Sequence, residues 1–343
     1  MTDSNTKSRD YLIICPCRDE AAYLQRTIDS LIAQTVQPKM LLVVDDGSTD
    51  ATPAMLEAYE KEHDFIKVVR KPDRGGRSVG PGVIETFYYG WDQIDPADFE
   101  YVTKLDLDLD LPPRYFETLI ERMEANPRIG TCSGKPYFPE RDTEAIHNAA
   151  HPKHDLQSTI PDYERTYGPL ISEKCGDEMS VGMTKFYRRV CFEEIGGFVR
   201  EVMWDGIDCH TCRMLGWIAC SWDDPELRFV HLRPMGSSHK GVLTGRMRHG
   251  FGQHFMGTGL AYMTASSVFR MTRPPYLVGG LGMWLGYVKA MAERKPRYGT
   301  PEFRDFLRDY QIACLVKGKT AATAEVDARQ KAVWERRHGA GAG

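Results

Sequence analysis

Short apolar runs alternate with amphipathic stretches through the first third of the chain. Four runs have the length and composition of buried strands: residues 11–15, 40–44, 65–69 and 101–105. Apolar residues recur at helical spacing between them, as Leu24, Ile28 and Leu31 do. Strands that alternate with helices in this way predict a parallel sheet with helices on both faces. Ligands of such sheets bind beyond the carboxyl ends of the strands.

The second half of the chain has a different pattern. Residues 135–180 are rich in Pro, His and charge and have weak periodicity, which predicts a long loop or an insertion that covers the site. Helices over 189–195 and 208–215 are expected to precede strands near 217–221 and 227–231. We therefore divide the chain into a first half (1–133), a second half (134–250) and a C-terminal helical region (251–343). The tail after residue 317 is expected to fray.

The most apolar stretch, residues 276–288, is too short to cross a bilayer. Its aromatic and leucine side chains and the basic residues after it suit a helix that lies in a membrane interface. A buried core helix is an equal alternative. The net charge of −4 argues against a nucleic-acid binder. Scattered cysteines without an N-terminal signal peptide predict a cytoplasmic protein, with peripheral contact at the inner face of the cell membrane left open.

Three polar turns follow predicted strands, at residues 17–20, 45–50 and 106–110. Asp106 and Asp108 lie two apart, so in an extended chain their carboxylates point to the same side. Such a pair can hold a hard divalent cation, although a solvated turn or a helix cap would have the same sequence. A P-loop, a dinucleotide-binding glycine motif and a nucleophile elbow are all missing from the sequence.

Four segments together resemble the motifs of family-2 glycosyltransferases, in the same order. They are Ile13-Ile-Cys-Pro-Cys-Arg-Asp-Glu20, Val43-Val-Asp-Asp-Gly-Ser-Thr-Asp50, Leu105-Asp-Leu-Asp108, and Gly196-Gly-Phe198 with Trp204-Asp205 and Asp208. The resemblance implies an α/β fold of the GT-A type, a Rossmann-like nucleotide-binding sheet, here with a C-terminal helical extension. It also implies inverting transfer from a nucleotide-sugar donor, usually a UDP-sugar, with Mg²⁺ or Mn²⁺ as cofactor.

The resemblance also assigns roles to residues. The donor-binding set is Pro16, Arg18 and Glu20 at the nucleoside, Asp46 and Asp106 at the base or ribose, and Arg77, Lys104 and Arg233 as phosphate candidates. Asp108 would hold the metal, and His231 would be a further metal or diphosphate contact. The family usually carries a Glu-Asp pair at the catalytic base, where this chain has Trp204-Asp205. Asp205 is the favoured base and Asp208 the second candidate.

The function implied is a transferase that builds exopolysaccharide or lipopolysaccharide on a glycan or polyprenyl-linked acceptor. A sugar nucleotidyltransferase is one alternative, although that class has a glycine-rich basic loop directly after the first strand. A nucleotide-sugar-binding protein without activity is another, and Trp204 in place of an acidic residue keeps it open. The Cys209-His-Thr-Cys212 spacing has no second cysteine pair, so we expect these cysteines to pack near the core rather than bind zinc.

Overall fold

The computed structural model describes residues 8–73, 75, 81–139, 161–233, 242–273 and 275–339. Eleven strands lie in these ranges: β1 (Tyr11–Cys17), β2 (Met40–Asp45), β3 (Ile66–Arg70), β4 (Tyr101–Leu105), β5 (Leu109–Asp110), β6 (Ile129–Ser133), β7 (Lys135–Pro139), β8 (Leu170–Ser172), β9 (Thr184–Arg188), β10 (Ile218–Ser221) and β11 (Arg228–His231).

Thirteen α-helices are described in the same ranges. They are α1 (Leu24–Ile32), α2 (Thr52–Glu62), α3 (Pro81–Trp91), α4 (Tyr115–Ala125), α5 (Pro161–Tyr167), α6 (Arg189–Glu194), α7 (Trp204–Met214), α8 (Val242–Met256), α9 (Leu260–Met271), α10 (Val278–Ala292), α11 (Pro301–Lys317), α12 (Lys319–Arg329) and α13 (Lys331–His338). Short 3₁₀ turns lie at Pro96–Asp98 and Pro225–Leu227.

Seven strands form the main sheet in the order β10-β6-β9-β4-β1-β2-β3. The strands β3, β2, β1 and β4 are parallel, while β9 runs antiparallel between β4 and β6. Side chains of β1 alternate between two cores: Tyr11, Ile13 and Cys15 pack on one face, and Leu12 and Ile14 on the other. The predicted α/β sheet with both faces covered is confirmed.

A second, four-stranded sheet has the order β5-β11-β7-β8. This sheet corrects the prediction of a long loop or insertion over 135–180, because β7, α5 and β8 lie there. Residues 140–160 are outside the described ranges. All five residues of β7 are buried, so its sequence has no polar face to produce an alternating pattern. The Asp110 carboxylate joins this region to α1, since Arg26 Nε and Tyr167 Oη both donate to it, at 2.6 and 2.7 Å.

The C-terminal helices are ordered on the main domain, and the expectation that the tail frays after residue 317 is wrong for 319–338. The Trp334 ring packs against Trp217 at a centroid distance of 6.0 Å, and Arg213 Nε donates to Asp327 at 3.2 Å. These contacts are few and far apart in sequence, so no periodic apolar pattern reveals them. Among the described residues, no helix combines the length and the apolar content that crossing a bilayer requires.

Candidate functional site

The ends of β1 and β2 hold a buried arginine beside the second polar turn. Arg18 Nη1 donates to the Asp46 carbonyl oxygen at 2.5 Å and to Asp73 Oδ1 at 2.8 Å. Lys71 Nζ lies 3.4 Å from Asp46 Oδ1. Gly47 has a φ of +76°, and a Cβ there would lie 2.7 Å from Asp73, so this turn requires glycine. The backbone and the charged side chains at this edge of the sheet are therefore held in place, as a nucleoside pocket requires.

Pro16 lies one residue inside its strand rather than after it. We expected β1 to end at residue 15, but the strand continues to Cys17, and Pro16 is in register with Val44 of β2. The polar turn therefore begins at Arg18. A proline near the end of a strand is tolerated where its missing N–H costs no ladder hydrogen bond.

Asp108 is the centre of a second group of charges at the same edge. Arg233 donates to Asp108 Oδ2 from Nε at 3.0 Å and from Nη2 at 2.7 Å. The same Nη2 donates to Glu20 Oε1 at 3.0 Å. His231 Nε2 lies 3.7 Å from Asp108 Oδ2, and its Nδ1 lies 2.9 Å from Glu173 Oε1. The structure thus brings Glu20 and Asp108 together with His231 and Arg233, from which they lie far apart in the sequence.

These charges shift one another's protonation. Burial opposes ionisation of Asp108, but His231 and Arg233 outweigh it and lower the pKa of Asp108 to about 2. Burial likewise disfavours the charged imidazole, yet Glu173 and Asp108 raise the pKa of His231 to about 10. In the absence of other ligands, His231 is therefore a cation at neutral pH. A bound metal would reverse this, since metals bind the neutral imidazole.

The group offers part of a metal site. Asp108 Oδ1 is buried and accepts no hydrogen bond from any described residue. No cluster of three or more His, Cys, Asp or Glu side chains suited to a metal occurs within the described ranges. Mg²⁺ commonly takes only one or two carboxylates and completes its shell with water and substrate phosphate. The residues present therefore fit a cation that arrives with a diphosphate, and Glu173 would fix the orientation of His231.

Asp106 and Asp205 are connected through one lysine and one glycine. The buried Lys104 forms an ion pair with Asp106 and donates to the Gly182 carbonyl oxygen at 3.1 Å. Gly182 lies in the turn before β9. A Cβ there would lie 3.0 Å from Asp205 Oδ2, so the Asp205 carboxylate can approach this turn because residue 182 is a glycine. No side chain among the described residues donates a hydrogen bond to that carboxylate. Burial raises the pKa of Asp205, with Lys185 opposing the shift.

Asp208 has a different environment although it is one helical turn away. Lys185 Nζ donates to Asp208 Oδ2 at 2.6 Å, and the Tyr187 hydroxyl donates to the same oxygen. Lys185 and Asp208 side chains are 0% and 1% exposed. Lys185 Nζ also donates to the Asp205 carbonyl oxygen at 2.8 Å. Asp208 is therefore held in the core beneath the first turn of α7, where an acceptor sugar has no access.

Trp204 lies between the two lysines of this region. Its ring centroid is 5.4 Å from Lys104 Nζ and 5.9 Å from Lys185 Nζ, distances typical of cation–π contacts. The sequence indicated neither Lys185 nor Glu173, and the signal for Lys185 is a lysine next to the aromatic pair Phe186 and Tyr187 of a buried strand. The predicted phosphate contact Arg77 lies outside the described residues.

The Cys-x-x-Cys pair lies in the core, as we expected. Cys209 and Cys212 are buried, and Cys212 Sγ lies 3.5 Å from Cys191 Sγ. Burial raises the pKa of both thiols. All nine cysteines are free thiols.

Comparisons with known proteins identify the family to which the sequence is similar. Residues 12–196 match the family described as Glycosyl transferase family 2. A poly-beta-1,6-N-acetyl-D-glucosamine synthase of Staphylococcus epidermidis is 30% identical over 124 residues, 35% of this chain and 27% of that protein. A synthase of the same name from Staphylococcus aureus strain COL is 26% identical over 123 residues. The match thus spans 27% of the length of these relatives.

Solved structures share the fold over most of the chain. S. aureus TarS superposes with a TM-score of 0.52 and 14% identity, covering 94% of this chain and 55% of that one. The mannosyltransferase PcManGT from Pyrobaculum calidifontis, solved with GDP-Man and Mn²⁺, has a TM-score of 0.48 and 18% identity, covering 96% and 87% of the two chains.

Proposed function

Because the chain belongs to glycosyltransferase family 2 and has the GT-A fold, we propose that it transfers a sugar from a nucleotide diphosphate donor to an acceptor hydroxyl. The donor is a UDP-sugar and the anomeric carbon is inverted, as is usual in this family. One observation carries the proposal: a charged group suited to a diphosphate, around Asp108, lies at the same sheet edge as Asp205, a carboxylate suited to a base.

The donor half, residues 1–133, holds the nucleoside and part of the diphosphate site. Arg18, Glu20 and Asp46, with the backbone at Pro16, line the nucleoside pocket, and Lys104 positions Asp106 at the ribose. Arg77 is a further phosphate candidate outside the described residues.

Asp108 and His231 would hold Mg²⁺ or Mn²⁺. The ion would neutralise the charge of the departing diphosphate. Arg233 donates two hydrogen bonds to the Asp108 carboxylate in this structure. If a metal bound that carboxylate instead, the guanidinium group of Arg233 would be free to donate to a phosphate oxygen. Its side chain is 22% exposed, so part of it already faces solvent.

Asp205 acts as the base, and Asp208 as the residue that positions the helix. The acceptor hydroxyl loses its proton to the Asp205 carboxylate as its oxygen attacks the anomeric carbon. A raised pKa makes a carboxylate a stronger base, so the partial burial of Asp205 helps this step. Asp208 cannot serve in the same way because Lys185 and Tyr187 both donate to it.

The acceptor is a glycan or a polyprenyl-linked sugar, bound by residues 134–250, in the synthesis of an exopolysaccharide or lipopolysaccharide. The similarity to poly-beta-1,6-N-acetyl-D-glucosamine synthases supports a polysaccharide product. The reaction takes place in the cytoplasm, where nucleotide sugars are available.

A thermal-shift screen tests the donor site. UDP, GDP and dTDP are each added with and without Mn²⁺, because a ligand of the native state alone raises the melting temperature. We expect a shift with UDP that requires Mn²⁺ and disappears in Asp108→Ala. Asp305→Ala is the matched control, since that aspartate is exposed on α11. The absence of a shift with all three nucleotides would contradict the proposed donor site.

A further inference from the structure

The charge of the chain is unevenly distributed along the sequence. No Asp or Glu occurs between Glu226 and Glu293, although this segment contains eight Arg and Lys residues and the whole chain carries −4. The segment includes α8, α9 and α10. Acidic residues are therefore confined to the rest of the protein, and these three helices are uniformly cationic. Such a separation of charge indicates a negatively charged partner.

Exposed apolar side chains collect where the three helices meet. We call this surface the docking face: the apolar residues Leu243, Phe269, Tyr276, Leu277, Val278 and Leu281 with the arginines Arg246, Arg270 and Arg273. Phe269, Tyr276 and Leu277 are 59%, 64% and 67% exposed. Close packing joins its parts, because a Cβ at Gly282 would lie 3.0 Å from Leu243 Cδ1, and one at Gly279 lies 3.8 Å from Arg246 Nε.

The arginines of the docking face have no acidic partner among the residues that the structure describes. None of Arg246, Arg270 and Arg273 forms an ion pair with a carboxylate of the described residues. Arg273 instead lies over the Phe269 ring at 5.1 Å. Burial, and after it the charge of Arg270, lowers the pKa of Arg246 to about 10. Cations that are crowded together beside apolar side chains are stabilised by an anionic surface.

A second exposed apolar group on the protein lacks these properties. Leu315 and Val316 of α11 are 47% and 75% exposed. The neighbouring lysines are neutralised, since Lys317 Nζ lies 2.5 Å from Glu325 and Lys319 forms an ion pair with Glu178. Exposure of apolar side chains alone therefore does not distinguish the docking face, whereas apolar side chains beside unpaired arginines do.

We propose that the docking face binds the surface of an anionic lipid bilayer, with its leucine and aromatic side chains in the interface and its arginines at the lipid phosphates. This combination is the one that interfacial helices use, and it needs no membrane-spanning segment. A protein partner would have to supply acidic groups around an apolar centre, while an anionic bilayer presents both over any area.

The helix α8, which carries part of the docking face, packs against α7, which carries Asp205. At the other end of α8, Gly252 packs against Met203, directly before α7, and Met256 Sδ would lie 3.7 Å from a Cβ at Gly206 of α7. A helix of this length spans about 22 Å. The docking face thus lies on the helix whose other end packs against α7, which carries Asp205, and this arrangement suits a lipid-linked acceptor; this last step rests on the proposed function.

Co-sedimentation of the full chain with vesicles tests the proposal without any activity assay. Vesicles of phosphatidylcholine are compared with vesicles of equal parts phosphatidylcholine and phosphatidylglycerol. We expect binding to the anionic vesicles that weakens as salt is added. The double variant Arg246→Gln, Arg273→Gln should bind roughly thirtyfold more weakly, at about fivefold for each arginine. Leu277→Asp should also reduce binding by at least tenfold.

Val316→Asp is the matched control, and it should bind the vesicles as the unsubstituted chain does. Melting temperatures, and their shift by UDP with Mn²⁺, check that each variant is folded. Equal binding to both kinds of vesicle, no binding to either, or equal losses in Leu277→Asp and Val316→Asp would each overturn the proposal. A failure of the UDP shift with intact vesicle binding would instead affect only the proposed donor site.

Discussion

Asp205→Asn and Asp208→Asn should have opposite effects, and the pair separates the base from the positioning residue. Asp208 shares a fully buried ion pair with Lys185 at 2.6 Å. Loss of one partner of such a pair leaves an uncompensated charge and costs about 3–5 kcal/mol. For a chain of 343 residues the melting temperature of Asp208→Asn should therefore fall by roughly 4 to 7 °C.

Asp205→Asn should keep the stability and lose the activity. The negative charge in the first turn of α7 is favoured by the helix dipole, by about 0.3–1 kcal/mol. The raised pKa shows that burial outweighs this effect, so a neutral side chain costs the folded state nothing. Loss of the base should lower kcat by roughly 10²–10⁴-fold. Release of nucleoside diphosphate in the presence of acceptor measures it.

A double-mutant cycle with Lys185→Met completes the experiment. Lys185→Met and Asp208→Asn should each destabilise the protein, and the two together by less than the sum, because the second change removes the charge left by the first. An Asp208→Asn variant with the same melting temperature as the unsubstituted chain would refute the reasoning about the ion pair. An Asp205→Asn variant with full kcat would refute the assignment of the base.

Three further predictions concern the pH dependence of the reaction, its need for a metal, and the packing of α8. Because burial raises the pKa of Asp205, kcat/KM should fall as the pH is lowered through a value above the ordinary 3.8, and a profile flat down to that pH would contradict the assignment. Removal of divalent cations with EDTA should abolish nucleoside diphosphate release, and Mn²⁺ should restore it; full activity in EDTA would exclude a metal at Asp108. Gly250→Ala should destabilise the protein by about 1–3 kcal/mol in urea unfolding, since its Cβ would lie 1.9 Å from the Met283 carbonyl oxygen. Gly245→Ala has open space in the same helix and should instead stabilise it by up to about 1 kcal/mol.

The sheet was predictable because its central strands β1 and β2 are buried on both faces and appear as apolar runs. The same logic failed for 135–180, where β7 and β8 have only two consecutive apolar residues each, flanked by Lys, Pro and Ser. It failed again after residue 317, where α12 and α13 are held by contacts to residues distant in sequence, such as those of Trp334 with Trp217 and of Asp327 with Arg213. Long periodic elements reveal themselves in sequence, while short elements depend on distant partners.

The choice between Asp205 and Asp208 shows the same dependence at the site. The two aspartates share one helix face, so helical periodicity treats them alike. What distinguishes them comes from β9 and the segment before it, where Lys185 reaches Asp208 and Gly182 leaves room for Asp205. Neither residue is near α7 in the sequence.

Trp204 gives the departure from the family's Glu-Asp pair a physical interpretation. A carboxylate at this position would lie between Lys104 and Lys185 and compete with Asp106 and Asp208 for them. The aromatic ring attracts both ammonium groups more weakly and leaves their ion pairs intact. The substitution therefore preserves the charges that position the Asp205 carboxylate. An inactive protein would have no need of that arrangement, so the geometry around Trp204 favours a working base over a lost one.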